Sequence, residues 1–104
     1  KSGTIGISNW QNNNPQKFHL FQNYPNPFNP TTIVKFEVPK QSKISLKVYD
    51  IMGRKISVLY DNVQLNKGTY EHLYNASGFA SGIYFYSLYV DNTLISTQKM
   101  IFLK

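Results

Sequence analysis

Alternation of apolar and polar residues dominates this chain from Thr31 onward. Val34, Phe36 and Val38 alternate with polar neighbours until Pro39 ends the run. Because successive side chains of a strand point to opposite faces, a period of two predicts a half-buried β-strand. The same pattern predicts strands at Ile44–Tyr49, Lys55–Tyr60, Thr69–Tyr74, Ile83–Val90 and Leu94–Leu103, with a short edge strand at Phe18–Gln22. No useful helical stretch is predicted.

Turn-forming residues separate these runs. Asp50–Arg54 contains Gly53, which adopts a positive φ at little cost, and Asp91-Asn92 has the composition of a two-residue hairpin. Asp61–Gly68 is predicted to be a loop anchored by Leu65. Asn75–Gly82 is predicted to be turn-like, with Phe79 its only candidate for the core.

The strongest predicted strand, Ile83–Val90, is followed by the last predicted strand. Tyr84, Tyr86, Leu88 and Val90 are expected to face the core, with Ile83, Phe85, Ser87 and Tyr89 facing outward or toward a partner. On the last predicted strand Met100 and Phe102 oppose Ile101 and Leu103, so both faces are apolar. An apolar edge strand is either covered or bound by a partner, and Met100 and Phe102 fit a core position best.

A proline-rich segment precedes the first long strand. Pro25, Pro27 and Pro30 fix φ and remove backbone donors, so this stretch cannot join a sheet ladder in the ordinary way. We predict a rigid crossover in which Tyr24 and Phe28 fill the end of the core.

Composition supports an all-β fold. The chain of 104 residues has eight tyrosines and seven phenylalanines but only two alanines, and aromatic residues favour pleated surfaces. Short strands at roughly ten-residue intervals predict an antiparallel sandwich of about seven strands, immunoglobulin-like or fibronectin-like. Residues 1–16 are predicted to be a linker or the tail of a preceding domain, and residues 17–104 to form the domain.

Candidate chemistry is sparse. There is no cysteine, the five acids lie in different strands or turns, and His19 and His72 lack metal-ligand spacing. We therefore expect no enzyme, no cofactor and no metal. No stretch has the length of a membrane-spanning helix. The net charge of +6 favours anionic partners, but the single arginine argues against nucleic acid.

One lysine-rich stretch and one set of aromatic residues leave alternatives open. Lys35, Lys43, Lys47, Arg54 and Lys55 form a basic patch if they share an outer face, although an ordinary solvated face is the simpler interpretation. The tyrosines and Trp10 suggest a carbohydrate-binding module, with Tyr49, Tyr60, Tyr74 and Tyr89 as stacking platforms. A structural spacer of a multidomain extracellular enzyme is a further alternative.

Five sequence boxes, in order, resemble the type A C-terminal sorting domains of the type IX secretion system. The first is Asn23-Tyr24-Pro25-Asn26-Pro27-Phe28-Asn29-Pro30-Thr31-Thr32. The others are Leu46–Arg54 with its Val-Tyr-Asp-x-x-Gly-Arg pattern, Leu65–Tyr70, Ala80–Tyr86 and Lys99–Lys104. The resemblance extends from about Phe21 to Lys104, where the sequence stops as the family does.

The resemblance implies a sorting module on an exported cargo protein of Bacteroidetes type. It implies passage through the periplasm, recognition by the outer-membrane translocon, and delivery to the cell surface or the medium. A sortase-like protease and anionic lipopolysaccharide are further implied partners. Carried over, recognition falls on Lys99, Met100, Ile101, Leu103 and Lys104, supported by Gly82 and Tyr84. The structural motif consists of Pro25, Asn26, Pro27, Phe28, Asn29, Pro30, Gly53 and Arg54.

Overall fold

The computed structural model describes residues 15–104, and the predicted linker lies almost wholly outside the described residues. Within residues 15–104 it contains seven strands and no helix. The strands are β1 (His19–Leu20), β2 (Thr31–Val38), β3 (Ser42–Tyr49), β4 (Lys55–Leu65), β5 (Gly68–Asn75), β6 (Gly82–Val90) and β7 (Thr93–Phe102).

The strands form two antiparallel sheets. One has three strands in the order β1-β2-β5, and the other has four in the order β4-β3-β6-β7. This arrangement is consistent with an immunoglobulin-like sandwich and confirms the predicted fold class. The chain passes from one sheet to the other three times, between β2 and β3, between β4 and β5, and between β5 and β6, so strands close in sequence lie in different layers.

The core lies between the sheets and follows the alternation in the sequence. Val34, Phe36 and Val38 from β2 have no exposed surface, and neither do Ile44, Leu46 and Val48 from β3. From β6, Tyr84, Tyr86, Leu88 and Val90 are buried as predicted. Burying one such side chain stabilises the fold by about 1.5–3 kcal/mol, so the packed inner faces are the main source of stability.

Aromatic contacts join the two layers. The Phe36 ring lies edge-on to Tyr60 with a centroid distance of 5.3 Å, and it stacks on Tyr70 at 5.5 Å. The hydroxyl groups of Ser57 and Tyr74 are 3.0 Å apart, which links β4 to β5. Burial is the main cause of the raised pKa values of Tyr60 and Tyr74.

The prediction of a loop at Asp61–Gly68 was wrong. β4 continues to Leu65, and only Asn66 and Lys67 separate it from β5. The pairing of β3 with β4 shifts register near Leu46, where Asn62 has a φ of 54° and donates its backbone N–H to Ser45 Oγ at 2.9 Å. A bulge lets a polar edge strand remain paired while its direction changes, so the polar composition here did not indicate a loop.

Two core assignments also change. Tyr24 is 80% exposed, so it does not fill the core as predicted, whereas Phe28 is buried. Ala76 is buried as well, and Phe79 packs against the core from a half-buried position. Because Ala76 donates its N–H to the Pro30 carbonyl at 2.9 Å, backbone pairing holds this small residue inside.

Candidate functional site: the last strand and the proline clasp

β7 is an edge strand of the four-stranded sheet, and its side chains alternate between core and surface. Ile101 is paired with Ile83, and Met100 with Tyr84. Met100 and Phe102 are completely or almost completely buried, at 0% and 1% exposure, whereas Leu103 is 51% exposed. The strand therefore contributes one face to the core and presents the other to solvent.

The residues predicted for recognition are divided by this alternation. Lys99, Leu103 and Lys104 are exposed, and Ile101 is half-buried. Met100 lies in the core of the folded domain, out of reach of a partner. Tyr84 is also buried, and its hydroxyl donates to the Ala80 carbonyl at 2.6 Å.

The proline-rich segment lies along the outer edge of β7, and we call residues 22–30 the proline clasp. The Phe28 N–H donates to the Ile101 carbonyl at 2.9 Å, and the Leu103 N–H donates to the Phe28 carbonyl at 3.0 Å. The Ile101 N–H donates to the Asn26 Oδ1 at 2.9 Å. The rings of Phe28 and Phe102 stack with a centroid distance of 5.3 Å.

Two glutamines extend this cover toward the start of β7. The Gln22 side-chain amide donates to the Lys99 carbonyl at 2.6 Å, and the Gln98 amide donates to the Leu20 carbonyl at 3.0 Å. The backbone edge from Lys99 to Leu103 is thus occupied by the chain itself. Of the two expectations for an apolar edge, covered or bound by a partner, the fold shows the first here.

Buried polar contacts hold the clasp in place. The Asn23 amide, which is buried, donates to the Pro25 carbonyl at 3.0 Å and to Thr32 Oγ1 at 2.9 Å. The Thr32 hydroxyl also donates to the Pro25 carbonyl, at 2.8 Å. Tyr86 donates its hydroxyl to the Phe21 carbonyl at 2.7 Å, and burial raises the pKa of Tyr86 to about 12. These side-chain donors satisfy backbone carbonyl groups in a segment whose prolines have no N–H to offer.

The Asp50–Arg54 turn is a second structural motif. The Asp50 carboxylate accepts the backbone N–H groups of Met52 and Arg54, each at 2.9 Å, and the Arg54 Nε at 2.8 Å. The hydrogen bond from the Arg54 backbone is the largest cause of the lowered pKa of Asp50. Gly53 has a φ of 83°, where a side chain is strained, so the predicted role of this glycine is confirmed.

An open groove of about 490 Å³ lies between this turn and the start of β6. Arg54, Gly82 and Tyr84, three residues singled out from the sequence, line it. Ile51 and Met52 form an exposed apolar rim, at 67% and 75% exposure. Thus motifs that are about thirty residues apart in sequence meet at one end of the sandwich, as the pairing of β3 with β6 requires.

The predicted basic patch is split between the two sheets. Lys35 lies on the three-stranded sheet, with its Nζ 4.9 Å from the centroid of the Phe21 ring. Lys43, Lys47 and Lys55 lie on β3 and β4 of the other sheet. Arg54 pairs with Asp50 in the turn. Sequence proximity did not reveal this division because the chain changes sheets between β2 and β3.

The proposed tyrosine platforms are separated too. Tyr74 is buried and Tyr60 packs against Phe36 in the core. Tyr49 and Tyr89 lie together on the outer face of the four-stranded sheet, with their hydroxyl groups 2.7 Å apart. Trp10 lies outside the described residues. The carbohydrate-binding alternative is not favoured.

The glutamine and asparagine contacts of the clasp escaped sequence reasoning. Their partners are 75 to 78 positions away in the chain. The only signal was the density of amide side chains beside prolines that lack an N–H.

Within residues 15–104, no group of three potential metal-ligating side chains is found, and none of these residues forms a helix that could span a membrane.

The described residues form an antiparallel sandwich in which β7 exposes one face of side chains, while the proline clasp covers the backbone edge of that strand. Such a module can be bound through its exposed side chains. A family model described as the secretion system C-terminal sorting domain matches residues 22–103. The chain belongs to this family, the C-terminal sorting domains of the type IX secretion system. A search of curated proteins found no match.

Membership defines the function at a coarse level. The domain is a sorting signal for type IX secretion and interacts with that machinery. It directs export across the outer membrane, to the cell surface or into the medium.

Proposed function

We propose that the secretion machinery reads this domain through the outward side chains of its last strand. These are Lys99 and Ile101 within β7, together with Leu103 and Lys104 immediately after it. The observation that carries the proposal is the division of β7 into a buried face, with Met100 and Phe102, and an accessible face. A partner that binds the folded domain can contact only the accessible face.

The backbone of β7 is less accessible to a partner than its outward side chains. A partner that added a strand would need the outward N–H and C=O groups of β7. The N–H and C=O groups of Ile101 and the N–H group of Leu103 are already hydrogen-bonded to Asn26 and Phe28. The exposed Leu103 and the half-buried Ile101, flanked by lysine ammonium groups, instead provide apolar contact and charge at one place. Gly82 and Tyr84 support this display from β6, which pairs with β7 throughout its length.

The proposal extends to the partners and the route. The cargo crosses the periplasm, and the outer-membrane translocon binds the domain there. A sortase-like protease then processes the cargo, with anionic lipopolysaccharide as a candidate anchor for it. The domain itself performs no catalysis in this scheme, because a signal acts by being bound.

The experiment must leave the core intact. Deleting Lys99–Lys104 would remove Met100 and Phe102 from the core, so loss of export would not separate recognition from unfolding. We therefore choose Leu103→Ser with Lys99→Glu, which changes exposed side chains only. A matched control is Leu73→Ser with Lys40→Glu. Leu73 is 64% exposed and lies on the other sheet.

The readout is the fraction of a reporter that reaches the outside of type IX-competent cells when fused ahead of the full chain. We expect Leu103→Ser with Lys99→Glu to lower that fraction by about tenfold, which corresponds to roughly 1.4 kcal/mol of lost binding. The control pair should remain near the unaltered level. Equal delivery of the β7 variant and the control, with both folded, would refute recognition through these side chains.

A further inference from the structure

The outer face of the four-stranded sheet carries two rows of side chains that cross all four strands. One row consists of Lys55, Tyr49, Phe85 and Lys99, which are successive cross-strand partners. The next consists of Val58, Lys47, Ser87 and Thr97. We call these eight residues, together with Tyr89, the lysine–aromatic face. Because cross-strand partners point to the same side of a sheet, they form one continuous surface.

Positive charge is segregated on this surface. Neither row contains a carboxylate, and Lys47, Lys55 and Lys99 supply three ammonium groups. The outer face of the three-stranded sheet is mixed instead, since Lys35 is paired with Glu71, and Glu37 with His19. The two outer faces of the described domain therefore differ in charge, and an acidic partner is complementary to only one of them.

The face is preorganised by side-chain contacts. The hydroxyl groups of Tyr49 and Tyr89 are 2.7 Å apart, and Lys47 Nζ lies 5.0 Å from the centroid of the Tyr89 ring. The hydroxyl groups of Ser87 and Thr97 are also 2.7 Å apart. Burial, followed by the hydrogen bond to Tyr89, raises the pKa of Tyr49 to about 12. Binding to such a face loses little side-chain entropy.

The composition of the face indicates the class of partner. Half-buried aromatic side chains occupy its centre, and lysines lie at both ends of the first row. Protein interfaces have this anatomy, with an apolar centre and a polar rim. Arginine, the residue suited to bidentate phosphate recognition, contributes nothing here because Arg54 is paired with Asp50 in the turn.

We propose that the lysine–aromatic face docks an acidic protein surface of the export machinery. The inference rests on the proposed function, because Lys99 belongs both to this face and to the accessible side of β7. The partner presents carboxylates to Lys47 and Lys55 and an apolar centre to Phe85. Contact of this kind orients the domain while the end of β7 is read.

The test reverses charge at the part of the face farthest from β7. Lys47→Glu with Lys55→Glu is compared with Lys40→Glu with Lys67→Glu, and both pairs change the net charge equally. Lys40 and Lys67 lie in turns at one end of the sandwich, where Gln41 donates to Asn66. In the same reporter cells, we expect the first pair to reduce delivery by about tenfold, because like charges then face each other across the interface. The second pair should leave delivery unchanged.

A neutral variant and measurements of thermal unfolding separate an effect of charge on delivery from an effect of misfolding. Lys47→Gln with Lys55→Gln should give an intermediate reduction, and all variants should unfold at similar temperatures. Normal delivery of a folded Lys47→Glu, Lys55→Glu variant overturns the docking face. If the β7 variant Leu103→Ser with Lys99→Glu still fails to export in that case, the proposed function survives. If instead the β7 variant exports normally, the proposed function fails.

A second arm separates a protein from a lipid surface. The full chain is mixed with vesicles of equal parts phosphatidylglycerol and phosphatidylcholine. Weak binding that responds equally to both charge-reversal pairs supports the protein assignment. Vesicle binding that is lost only with Lys47→Glu and Lys55→Glu would overturn it in favour of a membrane surface.

Discussion

Two aromatic side chains of the proline clasp have opposite environments although they are four positions apart. Phe28 is 2% exposed and stacks on Phe102, whereas Tyr24 is 80% exposed. Tyr24 and Ile33 exchange backbone hydrogen bonds at 3.1 and 2.9 Å, so its backbone is fixed while its ring faces solvent. The clasp therefore has one anchoring side chain.

We predict that Phe28→Ala lowers the free energy of unfolding by about 3–5 kcal/mol, because it leaves a cavity beside Phe102. Urea denaturation of the full chain measures this change. Tyr24→Ala is the matched control, and it should cost less than about 0.5 kcal/mol as an exposed substitution. A small effect of Phe28→Ala would show that the clasp is not anchored in the core.

Sequence reasoning at the residue scale worked where alternation alone decides burial. Val34, Phe36 and Tyr86 are inside because their strands have one buried face, and a period of two reveals this. Tyr24 and Phe28 follow no such period. Their environments depend on contacts with β2 and β7, which are made by residues elsewhere in the chain.

At the scale of elements, the clasp and β7 form one unit built from distant parts of the chain. We predict that Asn26→Ala speeds hydrogen exchange at the Ile101 amide by about fivefold, since it removes a hydrogen bond with a net contribution of roughly 1 kcal/mol. Exchange is followed by NMR on the full chain. Asn29→Ala is the control, because the Asn26 side chain, not that of Asn29, accepts the Ile101 N–H. Unchanged exchange at Ile101 would contradict the covering of this edge.

The strands themselves were largely predictable, but the length of β4 was not. A strand pattern needs alternation, and the bulge near Asn62 interrupts it. Beyond the bulge, Val63–Leu65 stay paired with β3, and at the bulge Asn62 donates to Ser45, a residue seventeen positions earlier on that strand. The strand proposed for recognition was located from its resemblance to a family motif, whereas its covered edge depends on residues 22–28.

At the scale of the whole molecule, the two outer surfaces of the sandwich differ in composition. The three-stranded sheet has mixed charge on its outer face, whereas the four-stranded sheet combines lysines with aromatic side chains and includes β7. The net charge of +6 was evident from the sequence, but its segregation depends on which strands share a sheet. The core beneath β7 is what holds its outward side chains in place.

We expect this folded domain to be sufficient to direct a fused protein to type IX export. A stable reporter with an inner-membrane signal is fused ahead of the full chain and expressed in two strains, one with the type IX translocon and one without it. The reporter outside the cells is then quantified. We predict that it appears outside only when both the domain and the translocon are present. Equal delivery without the translocon, or retention inside translocon-bearing cells despite a folded domain, would contradict the role of this domain as a sufficient export signal.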